Sequence, residues 1–459
     1  MTMKNRIKIN FLGGAGTVTG SKFLMESEEI NVLIDCGLFQ GIKEIRMLNR
    51  MPFPLDPNYI DVILVTHGHL DHCGFLPKLV AEGFSGSILT TAPTAEIASI
   101  IMLDSAKIQE EDAQRANEEA FTIHSPATPL YTVEDVEKTI KLFEIIEPGI
   151  QKNLSENFKV KFLRNGHILG AAFIEINYRG KLFVFSGDIG RISDELLEKP
   201  LKPKHADYLF LESTYGNRLH PAEDIETLLI KAVDETIGNS GTLIIPSFAV
   251  ERLQTLMFKL WKLYKQNKIP NIPVFTDSPM GNEVLKVFEH FPKWHKLSPE
   301  DYQKMKHHFT IISSYKDTWE TLEDPRPKIV IAGSGMITGG RVLTYLRFLI
   351  DKPQTTVLLV GYQAEGTRGR QLQEGASEIK FYGKYYPVKA KIQSIHGLSA
   401  HADQNELVDW LKDIEKTPQK VFLIHGEPTS SDALRVKIKD IYGWSVEIPH
   451  LDDLKILEW

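Results

Sequence analysis

The densest chemistry in the chain is the run Thr66-His67-Gly68-His69-Leu70-Asp71-His72, which sets three imidazoles and a carboxylate within six residues. So many polar groups cannot all be buried among apolar neighbours or satisfied by ordinary hydrogen bonds. Imidazole and carboxylate are good ligands for Zn²⁺, and a tight loop can aim several of them at one point. Gly68 lets the backbone turn closely between the first two histidines. Three more groups of the same kind stand apart in the sequence. His167 lies in Asn165-Gly166-His167-Ile168-Leu169-Gly170, Asp188 follows the run KLFVF in Ser186-Gly187-Asp188-Ile189-Gly190, and His425 follows KVFLI in His425-Gly426-Glu427. Each alone reads as readily as a hydrogen-bonding cap at a strand end. Together with the first cluster they supply enough nitrogen and oxygen ligands for two metal ions about 3.5–4 Å apart sharing one carboxylate, as in two-metal hydrolases.

Such groups need rigid elements beneath them. Short apolar runs recur along the chain: NVLID (31–35), DVILVT (61–66), KLFVFSGD (181–188), YLFLEST (208–214), TLIIPSF (242–248), KIVIAGS (328–334), TTVLLVGY (355–362) and KVFLIHG (420–426). Continuous rather than alternating apolarity predicts strands covered on both faces, as in α/β layers. Several runs end in an acid, a histidine or a glycine, where loops hold polar groups over a sheet edge. An amphipathic helix with Leu76, Leu79 and Val80 follows the histidine run. Residues 99–122 read as a long acidic helix with one apolar edge, broken by SPATP at 125–129. Thr132 then starts another helix, with Asp135 at capping-box spacing. The glycine-rich run 13–20 imitates a dinucleotide fingerprint, but the following SKFLMES reads as a strand, so a hairpin turn near the metal ligands is expected and a nicotinamide cofactor is rejected. Residues 213–390 alternate strand and helix without a histidine cluster and read as a domain inserted into a first domain built from 1–212 and 391–459.

The bulk numbers set wide bounds. At 459 residues two domains are expected, and 42% apolar with 25% charged residues is a globular composition. No stretch approaches the roughly 20 apolar residues of a membrane span. The opening MTMKNRIKINFLGG runs into a strand pattern rather than a signal-like apolar block, and a cytoplasmic location is expected. Cys36 and Cys73, without CxxC spacing, read as free thiols in a reducing compartment, small buried side chains rather than ligands. A net charge of −7 speaks against a general nucleic-acid coat protein but not against a local basic channel.

His67, His69, Asp71 and His72 match the HxHxDH signature of the metallo-β-lactamase superfamily, and Asp35, His167 and Asp188 match its other motifs in order. Glu212 in Glu-Ser-Thr-Tyr-Gly, His401 in Ser-Ala-His-Ala-Asp and His425 resemble the three extra motifs of the β-CASP branch. That branch contains nucleic-acid nucleases, including the endonuclease that cleaves pre-mRNA 3′ ends and its bacterial and archaeal relatives. The resemblance covers almost the whole chain. It implies an α/β fold: a four-layer αββα metallo-β-lactamase domain with an inserted α/β β-CASP domain and an active site in the cleft between them. It also implies two zinc ions per chain. His67, His69 and His167 would hold one and Asp71, His72 and His425 the other, with Asp188 bridging. Asp35 would orient ligands rather than bind metal. In the family a histidine at the position of His425 accompanies RNA substrates, whereas the DNA nucleases usually carry an apolar residue there.

The expected reaction is hydrolysis of single-stranded RNA, endonucleolytic and compatible with 5′-exonuclease action. A metal-bridging hydroxide would attack phosphorus, with Asp71 as a ligand at the catalytic centre. His401 would protonate the leaving 3′-oxygen while Glu212 orients it or supports its charge, leaving a 5′-phosphate and a 3′-hydroxyl. His396 lacks the Ser-Ala-His context and reads as structural. Gly333-Ser334-Gly335-Met336 follows a buried strand and could cradle a phosphate with its backbone N–H groups. Ser247, Arg252, Ser334, Gly335, Met336, Arg341 and Arg368 are the candidate RNA contacts. A hydrolase of small esters or thioesters on the same metals, a DNA nuclease, and a nucleic-acid-binding subunit with a vestigial site are the alternatives. A homodimer is open to the chain, and its protein partners are not specified by these residues.

Overall fold

A computed structural model of the chain describes residues 5–119 and 126–459. They form two compact units, Met1–Leu219 with His401–Trp459, and His220–Ala400.

All eight apolar runs form strands. In the first unit these are Asn31–Ile34, Val62–Leu64, Lys181–Phe185, Tyr208–Glu212 and Lys420–Ile424, and in the second Thr242–Pro246, Lys328–Ala332 and Thr356–Val360. The first unit holds two seven-stranded sheets. One runs Leu454–Glu458, Arg6–Gly13, Lys22–Glu26, Asn31–Ile34, Val62–Leu64, Ser87–Thr90, Phe143–Ile145. The other runs Val446–Glu447, Lys420–Ile424, Tyr208–Glu212, Lys181–Phe185, Ala172–Tyr178, Phe158–Arg164, Gln151–Asn153. Leu454–Glu458 pairs antiparallel with Arg6–Gly13, so the two ends of the chain share one sheet.

Successive side chains of one strand serve two cores, which is why the runs are apolar throughout. Phe183 and Phe185 enter the core between the sheets, and Val184 between them faces outward to the helices. Between the sheets the ring of Phe210 stacks on Phe185 at 4.1 Å and on Phe422 at 5.0 Å. Leu33, Ile63 and Ile88 of the first sheet pack outward on Leu76 and Leu79 of helix Leu76–Ala81, Met102 of helix Ala92–Glu118 and Val136 of helix Val133–Ile140. Leu209, Leu211 and Val421 of the second sheet pack outward on Leu407, Trp410 and Leu434 from helices Gln404–Trp410 and Pro428–Tyr442. The order of layers is therefore αββα.

One boundary differs from the sequence reading. The long helix starts at Ala92, not at residue 99, because Thr91 is extended and Pro93 sits in the first turn, where its missing N–H costs nothing. Ile97, Ile101 and Met102 of its N-terminal half are buried. Residues 120–122 of the expected helix, and Ser125 of the expected break, lie outside the described residues. Thr132 and Asp135 do form a reciprocal capping box.

The second unit is a six-stranded parallel sheet in the order Thr310–Ile311, Val274–Asp277, Lys328–Ala332, Thr242–Pro246, Thr356–Val360, Lys391–Ile395. Val330, Val357 and Leu359 of this sheet are buried with Tyr345 and Leu346 from helix Val342–Leu349. A two-stranded hairpin, Glu378–Phe381 with Lys384–Pro387, completes the unit. Among the described residues no helix is long and apolar enough to cross a membrane.

Candidate metal centre

The strand Val62–Leu64 leads straight into the histidine run. His69 is the N-cap of the short helix Leu70–Cys73, which carries Asp71 in its first turn and His72 in its last. Gly68 earns its place by close approach: a Cβ there would come within 2.8 Å of the Ile97 side chain. Asp35 and His425, both non-glycine, take left-handed backbone conformations with φ of 57° and 48°. Such conformations persist where surrounding bonds enforce them. Here the Asp35 N–H donates to the Leu64 carbonyl at 2.8 Å and the His425 N–H to the Gly14 carbonyl at 2.6 Å. Gly14 lies in the glycine-rich turn joining Arg6–Gly13 to Lys22–Glu26, the hairpin expected from sequence.

Two sets of ligand-type groups meet. His67, His69, His167 and Asp188 form one, and Asp71, His72 and His425 the other. In the first, His67 Nε2 and His167 Nε2 lie 3.0 and 3.3 Å from His69 Nδ1, and each is 3.5 Å from Asp188 Oδ2. In the second, His72 Nε2 is 3.2 Å from His425 Nε2, and the latter is 3.3 Å from Asp71 Oδ2. The other oxygen of Asp188, Oδ1, is 3.3 Å from His72 Nε2 and 3.3 Å from His425 Nδ1. One carboxylate thus faces both sets.

These groups fit Zn²⁺. With Zn–N bonds of ~2.05 Å, the edge of a tetrahedral ligand set is about 3.3 Å, which the nitrogen spacings match. Four of the seven groups, His67, His72, His167 and Asp188, are at most 2% exposed. Asp188 Oδ1 has no hydrogen-bond partner, an expensive state for a buried carboxylate unless a cation completes it. Burial and the neighbouring imidazoles hold His67 and His167 well below the usual histidine range, and His69 is lowered to about 4, so these rings favour the neutral, ligating form. Burial opposes ionisation of Asp188, but the imidazoles of His425, His72 and His67 hold it well below the usual carboxylate range.

The surroundings orient these groups. Asp35 Oδ2 lies 2.8 Å from His72 Nδ1, leaving Nε2 to the cluster. Asp35 in turn accepts from the Thr66 backbone N–H at 2.8 Å and from its hydroxyl at 2.9 Å. Glu212, fully buried, accepts from the Ile189 N–H at 2.6 Å and stands 3.5 Å from His401 Nδ1. The His401 ring lies 4.5 Å from that of His167. Burial disfavours its charge, but the Glu212 carboxylate outweighs that and pushes His401 up to about 9. His401 is held in place where its backbone bridges to Gly190 and the Ala402 N–H donates to the Ile189 carbonyl at 2.8 Å.

Family models match residues 16–92 (metallo-β-lactamase superfamily), 253–372 (Beta-Casp domain) and 385–449 (Zn-dependent metallo-hydrolase RNA specificity domain). A ribonuclease of Thermus thermophilus is 32% identical over 425 residues, covering 90% of this chain and 92% of its own. The chain belongs to the β-CASP family of the metallo-β-lactamase superfamily. An RNase J-like protein of Methanocaldococcus jannaschii is 33% identical to this β-CASP protein, covering 92% of this chain and 93% of its own. The transcription termination factor FttA of the same organism is 29% identical, covering 98% of this chain and 72% of its own. A solved structure from Enterococcus faecalis, of unknown function, shares the fold at a TM-score of 0.56 with 14% identity, covering 98% of this chain and 100% of its own.

The candidate RNA contacts belong to the second unit, where most are already engaged. Arg341 donates to the Thr318 hydroxyl at 2.6 Å and lies 3.6 Å from buried Asp277. Arg368 donates to the Lys380 carbonyl at 2.7 Å and the Ile337 carbonyl at 3.2 Å. The Ser334 hydroxyl accepts from the N–H groups of Thr338 and Gly339, and the Met336 carbonyl accepts from the Gly369 N–H, so this loop is braced internally. Gly335 packs against Phe248. Ser247 is buried and Arg252 opens helix Arg252–Lys265. His396 is exposed, with its N–H donating to Glu223. Cys36 and Cys73 are buried free thiols, and burial pushes Cys36 up to about 12. Sequence reasoning assigned no role to Thr66 or Thr214. The Thr214 hydroxyl lies 3.1 Å from His425 Nδ1; adjacency to His67 was a signal for Thr66, and Thr214 had none.

Proposed function

We propose that this β-CASP protein is a zinc-dependent ribonuclease that cuts single-stranded RNA internally and leaves 5′-phosphate and 3′-hydroxyl ends. The observation that carries this is the pair of ligand sets sharing Asp188, with His401 and Glu212 beside them. Support comes from the RNA-specificity domain match and from relatives named as a ribonuclease and an RNase J-like protein. His67, His69, His167 and Asp188 would hold one zinc ion, and Asp71, His72, His425 and Asp188 a second. Bound zinc supplies Lewis acidity and a nucleophilic water at neutral pH. The protein's own part is to hold and release protons. Glu212 keeps His401 protonated and aimed, so that its imidazolium can give a proton to the departing 3′-oxygen. Histidine rather than an apolar residue at 425 favours RNA over DNA, and His401 disfavours a small-ester hydrolase, which needs no such donor.

The test is zinc analysis of the purified protein together with cleavage of labelled single-stranded RNA and of a matched DNA strand. About two zinc ions per chain and cleavage of RNA to 5′-phosphate ends are expected. Asp71→Ala should lose zinc and activity together. His401→Ala should keep its zinc and lose about 10²–10⁴-fold in rate. Full zinc occupancy with no nucleic acid cut would hand the site to a small-molecule substrate, and equal cutting of DNA would remove the RNA preference.

A further inference from the structure

The second unit carries a surface feature that the metal centre does not explain. Four large aromatic side chains there are exposed: Tyr315 by 62%, Trp319 by 43%, Phe348 by 39% and Tyr382 by 61%. Single exposed rings are ordinary, but contiguous ones mark contact surfaces. These are contiguous. Tyr315 and Trp319 are four residues apart on helix Tyr315–Glu323 and so share a face. The Trp319 ring meets Phe348 edge-on at 5.0 Å. Arg347 lies over both Phe348, at 5.3 Å, and Tyr382, at 5.9 Å. At the other end Arg341 lies 3.7 Å over Tyr315.

The helix Val342–Leu349 buries Val342, Leu343, Tyr345 and Leu346, so Arg347 and Phe348 stand on its outer side. Two acids of helix Tyr315–Glu323 are occupied. Asp317 is tied into the capping box with Ser314, and Glu320 lies 3.6 Å from Lys316. Among the described residues Arg347 has no carboxylate partner. An unpaired guanidinium between two exposed rings offers both things a single strand needs: flat faces for unpaired bases and a cation for phosphate. Duplex RNA hides its base faces and would gain little from such a surface.

We propose that Tyr315, Trp319, Phe348, Arg347 and Tyr382 form a stacking platform for single-stranded RNA, sequence-tolerant because every base has a π-face; it rests on the ribonuclease reading for its choice of ligand. The platform adds affinity for single strands through its rings and the Arg347 guanidinium.

The experiment measures binding of a fluorescein-labelled oligouridylate by anisotropy. It uses the zinc-loaded full chain in a His401→Ala background so that the probe stays intact. Trp319→Ala, Phe348→Ala and Tyr382→Ala should each weaken binding about tenfold, and Trp319→Phe should restore most of the loss. Arg347→Ala should reduce the salt dependence of binding by about 0.7 in log–log slope. Probes with 4-thiouridine should crosslink to peptides containing these aromatic residues. Unchanged affinity and salt slope in all four variants would sink the platform. So would sedimentation showing that Trp319→Ala separates a dimer while RNA binding holds. Cleavage by the wild-type chain is followed in parallel. RNA cutting with variant binding unchanged overturns the platform alone, whereas variant-sensitive binding supports the platform even where the wild type cuts no RNA.

Discussion

His425 shows how much a single ligand-type residue depends on its neighbour. The Thr214 hydroxyl sits 3.1 Å from both His425 Nδ1 and the His425 carbonyl. Donating to the carbonyl, it must accept from Nδ1–H, which leaves the Nε2 lone pair for the second ligand set. Thr214→Val keeps the shape and removes the acceptor. It should weaken zinc binding at the second set about 10–100-fold, read by titration against a competing chelator, and an unchanged affinity would refute the role. Asp35 plays the same part for His72. Asp35 was legible as a motif acid, whereas Thr214 was not, because nothing in a Glu-Ser-Thr run says which side chain turns toward a histidine 211 positions away.

Elements are joined by polar clamps as well as by their cores. Glu29, in the turn between Lys22–Glu26 and Asn31–Ile34, reaches the second sheet. It accepts from the Ser155 hydroxyl at 2.6 Å, from Asn157 Nδ2 at 2.9 Å and from Arg179 at 3.3 Å. The Ser155 bond foremost, with Asn157 and Arg179, outweighs the opposing burial and lowers its carboxyl to about 2. The folded value lies below the unfolded one, ordinarily ~4.3. The stabilisation is therefore full above that value and is lost as pH falls towards about 2. Glu29→Gln should cost on the order of 1 kcal/mol at neutral pH. In urea titrations the gap to wild type should close on acidification through this window, and a gap independent of pH would count against the clamp. The strands were readable because burial on both faces leaves continuous apolar runs. The start of the long helix was missed, although Pro93 in its first turn is a local start signal.

At the scale of the whole molecule, the ligand-type groups come from residues 67–72, 167, 188 and 425, so a bound metal ties distant parts of one unit together. Ions that bind only the folded state stabilise it by mass action, about 4 kcal/mol at a thousandfold excess over Kd. Chelation should therefore lower the melting temperature by several degrees, with recovery on adding Zn²⁺ but not Mg²⁺, which prefers oxygen ligands. Equal melting with and without chelator would mean that the groups hold no metal in the native state. The sequence by itself determined the family, the strand-rich layered architecture and the identity of the groups that converge, because spacing within a motif and two-sided burial leave marks in local composition. Only the tertiary structure decided which oxygen of Asp188 faces which histidines, that Thr66 and Thr214 back the ligand-type residues, and that aromatic residues from 315, 319, 348 and 382 form one surface. Those relations depend on distances between segments far apart in the chain, and a local pattern cannot carry them.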